Sequence, residues 1–255
     1  MIQFVGRWGE KTGHSAGFFV FQGSKALRTA CFVDGYNLFY GLVAGTEYKW
    51  LDLPALLTHI LRVEQPEARL DSISFFTSGV KPSLATRGSL SKEAQDSYLR
   101  ALIARGVSVY YGRHQLEPGN APRFVDKKTP PSRLDQVAIW KLEEKETDVH
   151  IAVSMYRLAS RQASLAPEDR ILQIVLVSAD TDMTPALRAL REDFPELRVG
   201  VILPHREGMK RTVPGSLKNQ AHWMRHVVTE EELAAHQFPD QVATLKKPAR
   251  KPGYW

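Results

Sequence analysis

The feature that most narrows the fold of this chain is an alternation. Short runs rich in β-branched and aromatic residues, at 30–33, 72–77, 107–111, 171–177 and 198–203, are separated by stretches with helical spacing of apolar residues, at 53–63, 91–105, 148–161 and 185–193. Strands that alternate with helices in this way join as right-handed βαβ units. The predicted fold is therefore α/β, with a mostly parallel central sheet and helices on both faces. The nearly unbroken apolar run 171–177 agrees, because a strand covered on both faces has no polar side to alternate with. At 255 residues the chain favours one large domain over two small ones.

Two regions fall outside the repeat. Residues 117–133 contain Pro118, Pro122, Pro130, Pro131 and Gly119, which predicts a long loop or irregular hairpin inserted over one face. From Phe238 onward apolar residues are too sparse for a packed element, so an extended or draped tail is expected, with Trp255 available to pin its end. Residues 1–28 show no clear pattern and suit an added strand, a basic arm or an upstream extension equally.

In open α/β sheets ligands bind outside the carboxyl ends of the strands. Here those ends carry Asp34-Gly35-Tyr36-Asn37, Thr77-Ser78, Arg113-His114, Ser178-Ala179-Asp180-Thr181-Asp182 and His205-Arg206. Asp148 opens a further helix, with Thr147 before it as the expected N-cap. If Asp34, Asp148, Asp180 and Asp182 converge, each carboxylate pair near 4 Å repels by roughly 4 kcal/mol at an effective dielectric of about 20. A divalent cation is the natural compensator, and an all-oxygen set with open water positions suits magnesium or manganese. Metal-activated attack of water on a phosphodiester is the chemistry that follows. An Asp before Gly also serves as a turn residue, and Asp148 and Asp182 as helix-start carboxylates. Three positions at one sheet edge outweigh those separate roles.

Other signals are weaker. No GxxxxGK[ST] or GxGxxG motif supports ATP or dinucleotide binding, and a lone Asp-Thr-Asp is thin evidence for a sugar transferase. His222 and His226 stand four apart on an expected helix but lack the rest of a zinc motif. The single Cys31 excludes an intrachain disulfide framework and sits in the first strand as an expected core residue. No run is long enough for a membrane span, so no membrane partner is expected and the cytoplasm is the expected location. The net charge is +6, and residues 205–255 carry nine basic against five acidic side chains. A basic periphery around a near-neutral middle fits a polyanionic partner such as nucleic acid. Lys81, Arg113, His114, Lys145, His205, Arg206 and Lys210 are candidate phosphate contacts. Tyr36 and Tyr40 offer rings for stacking against bases.

The segments Phe32-Val33-Asp34-Gly35-Tyr36-Asn37-Leu38, Glu143-Glu144-Lys145-Glu146-Thr147-Asp148-Val149 and Val177-Ser178-Ala179-Asp180-Thr181-Asp182 together resemble the NYN domain family of the PIN-like nuclease superfamily. The resemblance implies a Rossmann-like PIN-type fold and a magnesium- or manganese-dependent endoribonuclease that leaves 5′-phosphates on RNA. It implies that Asp34, Asp148, Asp180 and Asp182 form the catalytic and metal-binding cluster, with Asn37 and Ser178 orienting ligands or the scissile phosphate. It divides the chain into an extension (1–28), a nuclease domain (29–236) and a basic tail (237–255). Many members carry glycine in place of Glu146 and glycine or asparagine in place of Ala179, and some carry an acid in place of Ser154. These departures leave a catalytically silent RNA-binding or adaptor module as the alternative. Oligomeric state is not legible.

Overall fold

The computed structural model describes residues 26–209 and 211–255. What the sequence suggests for residues 1–25 and for Lys210 lies outside the described residues. In chain order the elements are β1 (Leu27–Asp34), α1 (Gly35–Leu38), α2 (Leu53–Glu64), β2 (Ala68–Thr77), α3 (Ser89–Ala104) and β3 (Ser108–Tyr111), then β4 (Arg113–Pro122), β5 (Gln136–Lys145) and α4 (Thr147–Arg161). They continue with β6 (Gln173–Val177), α5 (Thr184–Asp193), β7 (Arg198–Ile202), α6 (Gly215–Gln220), β8 (Trp223–Arg225) and α7 (Glu230–Ala235), and end with β9 (Gln241–Val242) and β10 (Ala249–Arg250).

Six strands form one sheet in the order β3-β2-β1-β6-β7-β8, and every pair in it is parallel. The chain builds outward from β1 in one direction, returns across α4, and builds outward again from β6. The strand order therefore reverses between β1 and β6, and a crevice opens outside their carboxyl ends.

Period-two side-chain alternation divides the core. Cys31 and Val33 of β1 and Val175 and Val177 of β6 face a cluster with Leu56, Leu57, Ile60 and Leu102 from α2 and α3. Ala30, Phe32, Ile174 and Leu176 face the opposite cluster, with Ile151 and Met155 of α4 and Leu187 and Leu190 of α5. The Cys31 thiol is pushed up to about 12 by burial, as befits a core residue. The spacing of buried Leu53, Leu56, Leu57, Ile60 and Leu61 gives α2 one apolar stripe, and Asp52 caps it by accepting from the Ala55 N–H at 3.1 Å. The expected α/β sheet with helices on both faces is thus observed. Among the described residues no helix is long and apolar enough to cross a membrane.

The insertion is a hairpin more regular than its prolines suggest. β4 and β5 pair antiparallel over ten residues each, from Arg113 opposite Lys145 to Pro122 opposite Gln136, and only 123–135 is irregular. A two-stranded ribbon tolerates Pro118 and Pro122 because both of its outer edges are free of ladder partners.

The tail departs further from expectation. Phe238, Val242 and Ala249 are buried in the α2/α3 cluster, the Trp50 indole N–H donates to the Pro239 carbonyl at 2.8 Å, and Trp255 meets Trp50 edge to face at 6.2 Å. Few apolar residues suffice because the tail adds them to a cluster that already exists. His222 and His226 flank strand β8 rather than sharing a helix, and the His222 Nδ1 accepts the Val199 N–H at 2.9 Å.

Trp50 is fully buried where α2, α3 and the tail meet. Trp50→Ala is expected to cost about 3–5 kcal/mol in urea unfolding. A loss below ~1 kcal/mol would mean that the tail does not close this cluster.

Candidate active site

Asp34 ends β1 with 3% of its surface exposed. Its Oδ1 accepts the backbone N–H groups of Tyr36 (3.0 Å) and Asn37 (2.9 Å), which caps α1. Its Oδ2 accepts the Asn37 side-chain amide (2.7 Å) and the Ser178 hydroxyl (3.1 Å). The turn needs Gly35, since a Cβ there would lie 2.7 Å from the Phe76 carbonyl oxygen and 2.8 Å from the Phe75 ring. Asn37 Oδ1 in turn accepts the Ala179 N–H at 3.3 Å, and Ser178 Oγ accepts the Asp180 N–H at 3.0 Å. These bonds tie the ends of β1 and β6 together across the switch point. Burial raises the Asp34 carboxyl above its ordinary range, the bonds from Asn37 and Ser178 oppose this, and Glu144 adds to it.

Asp180 caps the turn Thr181–Met183 by accepting the Asp182 N–H at 2.9 Å, and Asp182 itself is exposed. Asp148 lies in the first turn of α4, with its residue surface exposed. Its carboxyl is pushed up to about 6, first by partial desolvation and then by the negative charges of Asp180, Asp34, Glu144 and Asp182. The four expected aspartates therefore do share one electrostatic neighbourhood.

Glu144 is a fifth acid there. Its Oε1 accepts the Ser78 hydroxyl at 2.9 Å and also the Thr147 hydroxyl. It stands near the base of the hairpin instead of following a sheet strand, so the carboxyl-edge rule passes over it. Its one signal in the sequence is its place in the acidic run before Asp148. Gly112 makes this junction fit, since a Cβ would stand 2.3 Å from the Thr147 Oγ1 and 2.9 Å from the Ser78 Oγ.

The start of α4 differs from the expected Thr147 cap. The helix begins at Thr147, and Glu146 precedes it in the left-handed region at φ 80°, the one non-glycine residue with positive φ among the described residues. Glycine suits that backbone without steric cost.

The expected basic contacts are distributed unevenly. Arg113 pairs with Glu146 at 2.8 Å and Lys145 with Glu143, so both cations have acidic partners. His205 is buried beyond the end of β7 and is held below the usual imidazole range by burial, Arg211 and His226. Arg206 bridges to Val228 through the backbone. Tyr36 bonds the His114 Nε2 through its hydroxyl at 2.7 Å and stacks on the exposed Tyr40 at 6.1 Å, which gives the acids an aromatic flank.

Among the described residues no three Asp, Glu, His or Cys side chains converge closely enough to enclose an ion. The four acceptor positions of Asp34 are already filled. Asp148, by contrast, is shifted by neighbouring negative charge with no donor relieving it. This set fits a hard cation held by one or two carboxylates and completed by water and substrate oxygens, and it does not fit a closed protein cage.

A parallel α/β sheet with a carboxylate cluster at its switch point defines the class, and the family follows from comparison. The NYN domain family model matches residues 28–226, and the chain belongs to that family. The chain is 33% identical over 254 residues to the 6-hydroxy-3-succinoylpyridine 3-monooxygenase HspA of Pseudomonas putida (strain DSM 28022 / S16), a match that spans 91% of this chain and 76% of that protein. Among solved structures it is similar to a protein of unknown function, VPA0982 from Vibrio parahaemolyticus RIMD 2210633, with a TM-score of 0.48 and 13% identity over 82% of this chain and 98% of that one.

Two outcomes follow from the carboxylates. With Asp148 raised to about 6, this carboxyl binds more protons in the folded protein than in the unfolded chain between about pH 4 and 6, so its contribution to stability falls as pH rises through that window. Asp148→Asn should remove this contribution to the slope and stabilise the protein at pH 7, by under about 1 kcal/mol because solvent screens an exposed carboxyl. Urea unfolding across that pH range reads both effects, and an unchanged slope counts against the crowding. Glu146→Gly should stabilise by about 1 kcal/mol through relief of the left-handed backbone, and thermal unfolding at neutral pH that shows a loss instead would contradict it.

Proposed function

We propose that this NYN domain protein is a metal-dependent endoribonuclease, acting in the cytoplasm on RNA with magnesium or manganese. The observation that supports this most is the gathering of Asp34, Asp148, Asp180 and Asp182, from three separate segments, at the switch point, where partial desolvation and then the neighbouring carboxylates hold Asp148 up at about 6. Asp148 and Asp180 hold the ion, with Asp182 and Glu144 beside them. Asp34 is the fixed carboxylate of the group, locked by Asn37 and Ser178 so that its charge does not move. When bound, the ion offsets the carboxylate charge and lowers the pKa of water for attack on a phosphodiester. Arg113 and Lys145 position phosphates without reading sequence, by exchanging their glutamate partners for substrate oxygens, whereas the buried His205 does not suit that role.

A second reading comes from the named relative. That relative is named a monooxygenase of a substituted pyridine, and the match spans 91% of this chain. The Tyr36, Tyr40 and His114 rings beside the acids suit a flat heteroaromatic ring as well as a nucleobase.

The deciding experiment incubates a labelled RNA pool with purified protein and manganese, magnesium or chelator, beside Asp34→Asn and Asp180→Asn. Metal-dependent cutting is expected, falling on the order of 100-fold or more in both variants while their circular dichroism stays native. Binding without cutting would leave the silent adaptor. No action on RNA, with reductant-dependent oxygen uptake on hydroxypyridines, would move the protein to the chemistry of its relative.

A further inference from the structure

The hairpin β4–β5 has two unlike faces. Residues opposite one another share a face, so Trp140 lies with Pro118, Leu142 with Leu116, and Glu144 with His114. The other face pairs Lys141 with Glu117, Glu143 with Gln115 and Lys145 with Arg113 in its charged half, and Ile139 with Gly119 and Val137 with Ala121 beyond it. The first face thus has an apolar middle, formed by Leu116, Pro118, Trp140 and Leu142, with Trp140 67% exposed and Leu142 42% exposed. It ends at two residues of the candidate active site, since His114 bonds Tyr36 and Glu144 bonds Ser78. An isolated two-stranded ribbon is marginal in water, and an uncovered apolar face on one calls for an occupant.

Charge decides which occupant. The loop 123–135 at the far end carries Arg123, Lys127, Lys128 and Arg133 against Asp126 and Asp135. A ligand on this face therefore meets cations at one end, an exposed indole in the middle and the acid cluster at the other. A ten-residue strand spans roughly 33 Å, the reach of several nucleotides. Unstacked bases lie on exposed aromatic rings, whereas bases inside a duplex are already stacked on one another.

We propose that the Trp140 face of the hairpin is a platform for single-stranded RNA, which feeds the strand past His114 and Glu144 into the acid cluster. This rests on the ribonuclease reading for its substrate, and it adds where the strand lies and that the substrate is unpaired. Trp140 is a binding residue that stacks on a base, and the cations of the hairpin loop contact phosphates.

The test uses a fluorescein-labelled single-stranded RNA of about a dozen nucleotides, bound to Asp180→Asn protein so that cutting does not interfere. Adding Trp140→Ala is expected to weaken binding on the order of tenfold, while Trp140→Phe keeps most of the affinity. Unlabelled RNA should quench tryptophan fluorescence, and this quench should vanish in Trp140→Phe. Equal affinity in the alanine variant, with RNA still cut by the native chain, overturns the platform and leaves the ribonuclease reading standing. RNA held through Trp140 but cut with no metal ion supports the platform and removes that reading. Absence of RNA binding, or a dimer that Trp140→Ala dissociates, overturns the platform, the latter by assigning the face to a second copy of the chain.

Discussion

A buried carboxylate between two parallel strands is a liability unless donors surround it, and Asp34 has four. Two come from the first turn of α1, one from the Asn37 side chain and one from Ser178 at the end of β6. Those bonds compensate burial and also help to place the acids that follow β6. Asn37 and Ser178 pass the constraint on to Ala179 and Asp180, whose carboxylate then orders the turn that carries Asp182. The site is held by the ends of the two central strands, the least deformable part of the sheet.

Around that fixed point charge is left unbalanced. Ion pairs occupy several of the nearby cations, Arg113 and Lys145 among them, while Asp148 faces four other carboxylates. Such an arrangement costs stability in the protein alone, and it is the kind of imbalance that a bound cation offsets. The left-handed Glu146 belongs to the same junction, where β5 turns sharply into α4 to bring Asp148 to the sheet edge.

The hairpin and the tail are additions to this frame of opposite kinds. The tail contributes Phe238, Val242, Ala249 and Trp255 to the α2/α3 cluster and closes it. The hairpin contributes almost nothing to either core and instead leaves Trp140 and Leu142 in solvent beside the site. One addition serves packing and the other presents surface.

The sheet was legible from local pattern because apolar run and helical spacing are properties of neighbouring residues. The runs at 30–33, 72–77, 107–111, 171–177 and 198–203 all became parallel strands, and the four helical stretches became helices. That Asp34, Asp180 and Asp182 stand at the carboxyl edge was legible too, because a strand end is marked in the sequence. Tertiary structure alone decided the rest. Three-residue β8 is too short to show a period, and the tail is packed only because Trp50 and Tyr98 wait for it from more than a hundred residues away. Glu144 joins the acids because an antiparallel hairpin returns the chain to Ser78, a contact that no local spacing encodes. Local order in this protein follows from side-chain periodicity, whereas the charge balance of the site depends on which distant segments the sheet brings together.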